Sequence, residues 1–198
     1  MRVAELVFPL KGASLPTDYA LPLWLALRCL LPWLADEESA AILPLKGTTP
    51  SADGLILGQR AQLVLRLPEA RLASAAAIAG SSLDLGTNIQ LDAPSERELR
   101  PTSAQYTPLV VLGCADEVEF LAACDRELEM LAIGASVVCG KAQRLRGEDG
   151  ELHGYSLMLH GLSPDQALHL QSVGVGQGRK LGCGSFVAHK TAVAVGAN

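Results

Sequence analysis

The sequence V-G-V-G-Q-G-R-K-L-G-C-G-S-F-V-A-H-K occupies residues 173–190. Its five glycines fall within eleven positions: Gly174, Gly176, Gly178, Gly182 and Gly184. Arg179 and Lys180 stand between them, and no Asp or Glu follows Asp165. Because glycine lets the backbone approach a ligand closely and adjacent cations favour an anion, this stretch predicts a loop that cradles phosphates.

Two other interpretations of the glycine stretch exist. One is an ordinary tight loop, which glycine clusters also form. The other is a dinucleotide-binding fingerprint, which needs a strand before it, a helix after it and a third glycine three positions beyond the second. Here Arg179 occupies that third position, a helix-like run precedes the glycines and a strand-like run follows them. The inverted order disfavours the fingerprint and leaves the ordinary loop open.

The composition is that of a compact globular protein. Of the 198 residues, 49% are hydrophobic and only 19% are charged, which argues against disorder. The five cysteines are scattered without a CxxC pair, so we expect free buried thiols, no metal site and no cofactor. The net charge of −5 restricts any site for a polyanion to a local region, and the acid-free C-terminal part is the candidate.

No segment predicts a membrane association. The N-terminal residues carry an acid and have too short an apolar run for a signal peptide. The most apolar run, residues 21–34, is interrupted by Pro22, Arg28 and Pro32 and is shorter than a membrane span. We therefore expect a cytoplasmic protein.

Hydrophobic periodicity predicts an α+β fold of two tandem ferredoxin-like (βαββαβ) units with a C-terminal glycine-rich loop. The predicted boundaries are residues 1–93 for the first unit, 94–107 for a linker and 108–198 for the second unit. Predicted strands cover residues 2–10, 42–46, 54–57, 62–67, 83–85, 88–91, 109–112, 135–145, 155–159 and 183–187. Predicted helices cover residues 19–34, with Thr17 or Asp18 as N-cap, 68–79, 116–131 and 164–170.

Three stretches carry a resemblance to a known family. They are F-P-L-K-G-x-x-L-P-x-D at residues 8–18, G-Y-S-L-x-L-x-G-L-S-P at 154–164 and G-V-G-Q-G-R-K-L-G-C-G-S-F-V-x-H-K at 174–190. With these, the chain resembles the CRISPR repeat-processing endoribonucleases, the sixth CRISPR-associated protein family, and in particular their short Myxococcus-type branch. Intermediate pieces at 31–34 and 65–68 extend the resemblance over nearly the whole chain.

The resemblance implies a protein that binds the stem-loop repeat of a CRISPR precursor transcript and cuts it at the 3′ base of the stem without a metal ion. The ribose 2′-hydroxyl attacks the neighbouring phosphate and leaves a 2′,3′-cyclic phosphate and a 5′-hydroxyl. It also implies that the protein stays on its product as a subunit of a CRISPR effector complex, in contact with other subunits.

The resemblance also assigns catalytic candidates. Members of this branch usually have a histidine, the expected general base, directly after Pro-x-Asp, where this chain has Tyr19. A tyrosine with a pKa of about 10 is a weak base, so Tyr19 orients the 2′-hydroxyl, acts as an acid or simply packs at the helix start. His189 is the preferred histidine, more as an RNA contact than as a base. Lys11 is a candidate for charge stabilisation, or an ordinary solvated lysine.

The candidate RNA contacts lie in two regions. Lys141, Arg144 and Arg146 lie along the predicted hairpin of the second unit at a spacing that suits backbone phosphates, although the same pattern is typical of a solvated strand end. The other candidates belong to the glycine stretch: Gly174, Gly176, Gly178, Arg179, Lys180, Gly182, Gly184 and Lys190.

Two rival functions remain open. One is a non-catalytic RNA-binding subunit that holds the repeat hairpin in a ribonucleoprotein, and Tyr19 is the feature that favours it. The other is a nucleotide-binding ferredoxin-like regulator, which the inverted glycine loop disfavours.

Overall fold

Two antiparallel sheets and four α-helices make up the chain, whose computed structural model describes residues 2–114 and 116–189. The chain divides into two units. Unit 1 comprises residues 2–99, Arg144–Leu152 and Gly178–Cys183. Unit 2 comprises residues 100–114 and 116–143, His153–Gln177 and residues 184–189. Each repeats the order βαββαβ, so the fold is the predicted tandem ferredoxin-like fold.

Unit 1 contains two helices, α1 (Ala20–Leu30) and α2 (Glu69–Ala76). Its strands are β1 (Val3–Lys11), β2 (Ser14–Leu15), β3 (Ala41–Ile42), β4 (Lys46–Ser51), β5 (Gly54–Pro68), β6 (Ser82–Asp84), β7 (Asn88–Leu91) and β8 (Ser95–Arg97). The central ladder pairs β1 with β5 along the register Val3↔Pro68 to Pro9↔Gln62. Strand β7 pairs with the end of β1, and β4 pairs with β5, which gives the ferredoxin-like order β7-β1-β5-β4.

The core of unit 1 explains why the strands alternate. Leu6 and Phe8 of β1 and Leu63 and Leu65 of β5 are almost completely buried against the apolar sides of α1 and α2. Successive strand residues point to opposite faces, so the residues between them lie on the other face of the sheet. That second face carries Glu5 and Arg66, which are also buried.

Unit 2 contains α3 (Glu117–Met130) and α4 (Pro164–Val173). Its strands are β9 (Ala104–Val110), β10 (Ser136–Arg146), β11 (Glu151–His160) and β12 (Val187–Ala188), in the sheet order β10-β11-β9-β12. The tip of the β10–β11 hairpin belongs to unit 1. Both helices begin where capping chemistry predicts: the Asp116 side chain accepts the N–H of Glu119, and Ser163 and Gln166 form a capping box.

Several predicted boundaries were wrong, each for a physical reason. The first helix ends at Leu30, before Pro32, and Pro32–Leu34 forms a separate 3-10 turn because proline lacks an N–H. Its N-cap is Tyr19 rather than Thr17 or Asp18. The strands predicted at 54–57 and 62–67 are one strand, β5, whose exposed residues Gly58, Gln59 and Arg60 obscured its continuity.

Unit 2 shows two further differences. Strand β9 begins at Ala104 instead of residue 109, because its buried polar residues Gln105 and Thr107 hide the apolar alternation. The last strand covers Val187–Ala188 rather than 183–187, since Gly184 has φ +61° and cannot continue a strand. All five cysteines are free thiols, but Cys29 is exposed and only Cys124 and Cys183 are buried.

Candidate functional site

The glycine-rich loop follows α4, and all five of its glycines have positive φ angles between 61° and 88°. At two of them the neighbouring chain also leaves no room for a side chain. A Cβ at Gly176 would overlap the carbonyl oxygen of Val111, and one at Gly184 would overlap that of Val175. Glycine at these two positions is therefore required by the close approach of backbone to backbone.

Many backbone N–H groups of the loop donate to carbonyl groups of the chain itself. Val175 donates to Gly184 (3.0 Å), Gln177 to Val111 (3.1 Å) and Gly184 to Leu109 (2.7 Å). Leu181 and Cys183 both donate to the carbonyl oxygen of Gly178. These hydrogen bonds stabilise the loop and occupy N–H groups that the predicted phosphate cradle would have offered to an anion.

Arg179 and Lys180 lie on a 3-10 turn, Arg179–Leu181, that packs in unit 1. The Lys180 Nζ donates to the carbonyl oxygens of Glu37 and Ala40, the latter at 3.3 Å. Burial lowers the pKa of Lys180 to about 8, with the Arg179 charge adding to the effect and the Glu37 charge opposing it. Burial, reinforced by the charge of Arg66, also lowers the pKa of Arg179 to about 10.

The hairpin cations are exposed. Arg144 lies 3.5 Å from Glu151, and Arg146 lies 4.0 Å from Asp18, next to the start of α1. All four of these side chains are more than half exposed, so the ion pairs contribute little and leave the arginines accessible. Lys141 is exposed further along β10.

A carboxylate at the hairpin tip holds the tip against α1. Glu148 accepts a hydrogen bond from Trp24 Nε1 (2.5 Å) and another from Arg28 Nη1 (2.8 Å). These hydrogen bonds, the one from Trp24 first, keep the pKa of Glu148 below its usual value. Sequence reasoning missed this contact, because the partners are 124 and 120 residues apart in the chain.

Tyr19 is half-buried at the N-cap of α1, where its Oη accepts the backbone N–H of Leu45 at 3.0 Å. Burial raises the pKa of Tyr19, although this hydrogen bond opposes the shift. The phenol is therefore a still weaker base than an exposed tyrosine, while its O–H remains available as a donor.

The other catalytic candidates lie on strand ends. Lys11, at the end of β1, forms an exposed ion pair with Asp92 (2.8 Å). His189 is exposed after β12, where its ring centroid lies 5.7 Å from that of Tyr106 and its backbone N–H donates to the carbonyl oxygen of Ala104. Lys11 and Tyr19 belong to unit 1 and His189 to unit 2. Lys190 lies outside the described residues.

Sequence reasoning also missed a buried ion network in unit 1. Glu5 Oε1 accepts from Arg66 Nη2 at 2.7 Å, and Glu5 Oε2 contacts Arg97 at 2.7 and 2.8 Å. Burial raises the pKa of Glu5, but the charges and hydrogen bonds of Arg66 and Arg97 outweigh burial and lower it overall. The available signal was one charged residue within each of two otherwise apolar strand segments.

No helix in residues 2–114 or 116–189 is both long and apolar enough to cross a membrane.

Comparison with known proteins finds similarity along nearly the whole chain. The sequence model of the family described as "Cas6 Crispr" matches residues 4–191. A curated "CRISPR-associated endonuclease Cas6" of Myxococcus xanthus (strain DK1622) is 33% identical over 189 residues, which cover 94% of this chain and 82% of that protein.

Solved structures share the fold. A "CRISPR associated protein Cas6" superposes with a TM-score of 0.70 at 9% identity, covering 95% of this chain and 100% of its own. Thermus thermophilus Cse3, "bound to an RNA representing a pre-cleavage complex", gives a TM-score of 0.55 at 20% identity, covering 94% and 98%.

Proposed function

Because the chain belongs to the Cas6 family of CRISPR proteins, we propose that it binds the stem-loop repeat of CRISPR precursor RNA in the cytoplasm and cuts it without a metal ion. The observation that carries this proposal is the family match over residues 4–191, together with 33% identity to a protein named as an endonuclease. The RNA-bound relative of the same fold supports RNA as the ligand.

The proposed RNA contacts are the exposed cations of the hairpin and residues of the glycine-rich loop. Arg144 and Arg146 are 72% exposed and weakly paired, so phosphates can replace their carboxylate partners. Glu148 supports this role by fixing the hairpin tip on α1. The remaining proposed contacts are Lys141, Gly174, Gly176, Gly178, Arg179, Lys180, Gly182, Gly184 and Lys190.

In the proposed reaction the ribose 2′-oxygen attacks the adjacent phosphorus and loses its proton, while the bond to the 5′-oxygen breaks and that oxygen gains a proton. Tyr19 orients the 2′-hydroxyl; its raised pKa argues against a role as general base. His189, with an exposed imidazole, takes the acid–base role if it reaches the scissile phosphate, and otherwise contacts RNA.

Cations stabilise the phosphorane that forms in this reaction. Lys11 is one candidate, because its ion pair with Asp92 is exposed and can be exchanged for a phosphate. Arg146 is a second, because it lies beside the residue that precedes Tyr19. After the cut, the protein stays on its product and joins other subunits in a CRISPR effector complex.

A non-catalytic subunit that holds the repeat hairpin is the alternative. The observation that favours it is the Tyr19 hydroxyl, which is half-buried, engaged by the Leu45 N–H and raised in pKa.

The two functions are separated by incubating the purified protein with repeat RNA of the source organism's CRISPR array in EDTA. An enzyme binds the RNA and gives a single cut. A second RNA with a 2′-deoxy nucleotide at the cut position is bound but stays intact. Tight binding without any cut over hours would leave only the holding subunit.

A further inference from the structure

Three cations of unit 1, Lys46, Arg66 and Arg97, lie around one carboxylate on the sheet face opposite α1 and α2, and a fourth cation, Arg179, lies near Arg66. We call Lys46, Arg66, Arg97 and Arg179 the cation cluster; the carboxylate is Glu5. None of the roles proposed above involves Lys46, Arg66 or Arg97.

The strand register places three members of the cation cluster on the same face as Glu5. Glu5 of β1 stands opposite Arg66 of β5 on one side and opposite Arg97 of β8 on the other. Lys46 of β4 pairs with Gln62, four residues before Arg66 on β5, and an even spacing along a strand keeps side chains on the same face. Glu96, the neighbour of Arg97, alternates to the opposite face.

The glycine-rich loop brings the fourth cation. Lys180 is tied to the carbonyl oxygens of Glu37 and Ala40, directly before β3, and Ala41 of β3 pairs with Arg66. The charge of Arg179 therefore lies near that of Arg66.

The cation cluster is not neutralised by its own carboxylate. Four cations and one anion leave a net charge of +3 in a chain whose net charge is −5. Burial, with the repulsion of Arg97 added, lowers the pKa of Lys46, and burial also lowers the pKa of Arg66 despite the attraction of Glu5. Uncompensated positive charge in a partly buried region raises the free energy of the folded protein, and a bound anion would offset that increase.

Solvent reaches one side of the cation cluster. The side chain of Arg66 is 1% exposed and lies at the buried side of the cation cluster, whereas that of Arg97 is 35% exposed and Lys46 is exposed. Among residues 2–114 and 116–189, no hydrogen bond or ion pair within 4 Å engages the Lys46 ammonium. Lys46 and Arg97 are therefore the cations that an anion can contact from solvent.

We infer that the cation cluster is a binding site for a backbone phosphate of RNA, contacted by Lys46 and Arg97 and continuous with the glycine-rich loop through Arg179. This inference rests on the proposed function, because it names a further part of the same RNA interface. RNA is the polyanion that the proposed function assigns to this protein. A phosphodiester suits the site because a guanidinium can donate two hydrogen bonds to its oxygens while a neighbouring lysine supplies a second positive charge.

The test measures affinity for the repeat RNA over a series of salt concentrations. Lys46→Gln and Arg97→Gln should each weaken binding roughly tenfold at low salt and reduce the slope of log affinity against log salt by about one. Arg126→Gln is the matched control: it removes an exposed arginine of α3, between Asp125 and Glu127, and should change neither quantity. Circular dichroism verifies that each variant is folded.

Two RNAs identify the source of the phosphate. One is the repeat hairpin alone, and the other is the single-stranded flank alone; the RNA whose affinity falls in Lys46→Gln contains the contact. Wild-type affinity and slope for both RNAs in Lys46→Gln would overturn this inference while the proposed function stands. A wild-type protein that binds neither RNA would overturn both. Lys46→Gln keeps the test decisive if Arg97→Gln fails to fold, because Lys46 is exposed.

Discussion

At the scale of single residues, Tyr19 is the proposed catalytic residue whose role a substitution tests most directly. Tyr19→Phe removes the acceptor of the Leu45 N–H, which should cost about 1 kcal/mol of stability. If the hydroxyl orients the 2′-hydroxyl, the single-turnover cutting rate should also fall roughly tenfold. Burial raises the pKa of Tyr19 above its ordinary value of 10, so the phenol stays protonated at lower pH. Its contribution to the cutting rate should therefore not change with pH below that value.

The converse substitution restores the histidine that the family resemblance leads us to expect. Tyr19→His should raise the cutting rate about a hundredfold, the usual contribution of a well-placed general base, and should introduce an ionisation into the pH–rate profile. A rate and profile equal to those of wild type would mean that residue 19 takes no part in the chemistry.

Glu5 is a buried residue whose charge state affects stability. Glu5→Gln leaves Arg66 buried with less compensation and should lower the free energy of unfolding by about 3 kcal/mol at pH 7. The folded-state pKa of Glu5 lies below its ordinary value of 4.5, so the wild-type advantage is present above pH 4.5 and is lost as the pH falls through the folded pKa.

Urea unfolding of wild type and Glu5→Gln at pH 7 and at pH 3.5 measures both expectations. The difference between the two proteins should narrow at the lower pH. Glu96→Gln, which removes an exposed carboxylate from β8, serves as control and should change stability by less than about 0.5 kcal/mol. A difference that widens with acid would show that Glu5 is not held ionised by its arginines.

At the scale of elements, the glycine-rich loop has a structural role besides the RNA-binding role proposed above. Gly184→Ala combines a positive φ with a clash against the Val175 carbonyl and should cost roughly 3 kcal/mol or more. Gly161→Ala is the matched control in unit 2, because Gly161 has φ +82° but no atom within 4 Å of an added Cβ. It should cost only about 1–2 kcal/mol. Equal losses in urea unfolding would mean that the loop moves freely to make room.

The elements themselves were largely predictable, because local signals define them. Two helices begin within one residue of their predicted starts, where the side chains of Asp116 and Ser163 cap them, and Pro32 should have fixed the end of another. The predicted lengths of two strands were wrong. Strand β5 was divided at residues 58–60, which are exposed but still belong to the strand. Strand β9 was predicted too short, because its buried polar residues Gln105 and Thr107 are typical of loops. The alternation of apolar and polar residues predicts a strand only where the polar residues are on its exposed face.

At the scale of the whole molecule, the contacts that build the site join distant parts of the chain and could not be read from sequence. Glu5 meets Arg66 and Arg97, which lie 61 and 92 residues away, and Glu148 meets Trp24 at 124 residues. The three family-like stretches did indicate the CRISPR family that the comparisons show, whereas the RNA contacts expected from the basic, acid-free C-terminal part stay a prediction. Only the register of the strands shows which cations lie on the same face of the sheet.

The most direct test of the central proposal is the chemistry of the product ends. Repeat RNA cut by the protein in EDTA is analysed by mass spectrometry. Metal-independent attack by the 2′-hydroxyl predicts a 2′,3′-cyclic phosphate on the upstream fragment and a 5′-hydroxyl on the downstream one. A 3′-hydroxyl with a 5′-phosphate, or cutting that appears only when a divalent metal is restored, would contradict it.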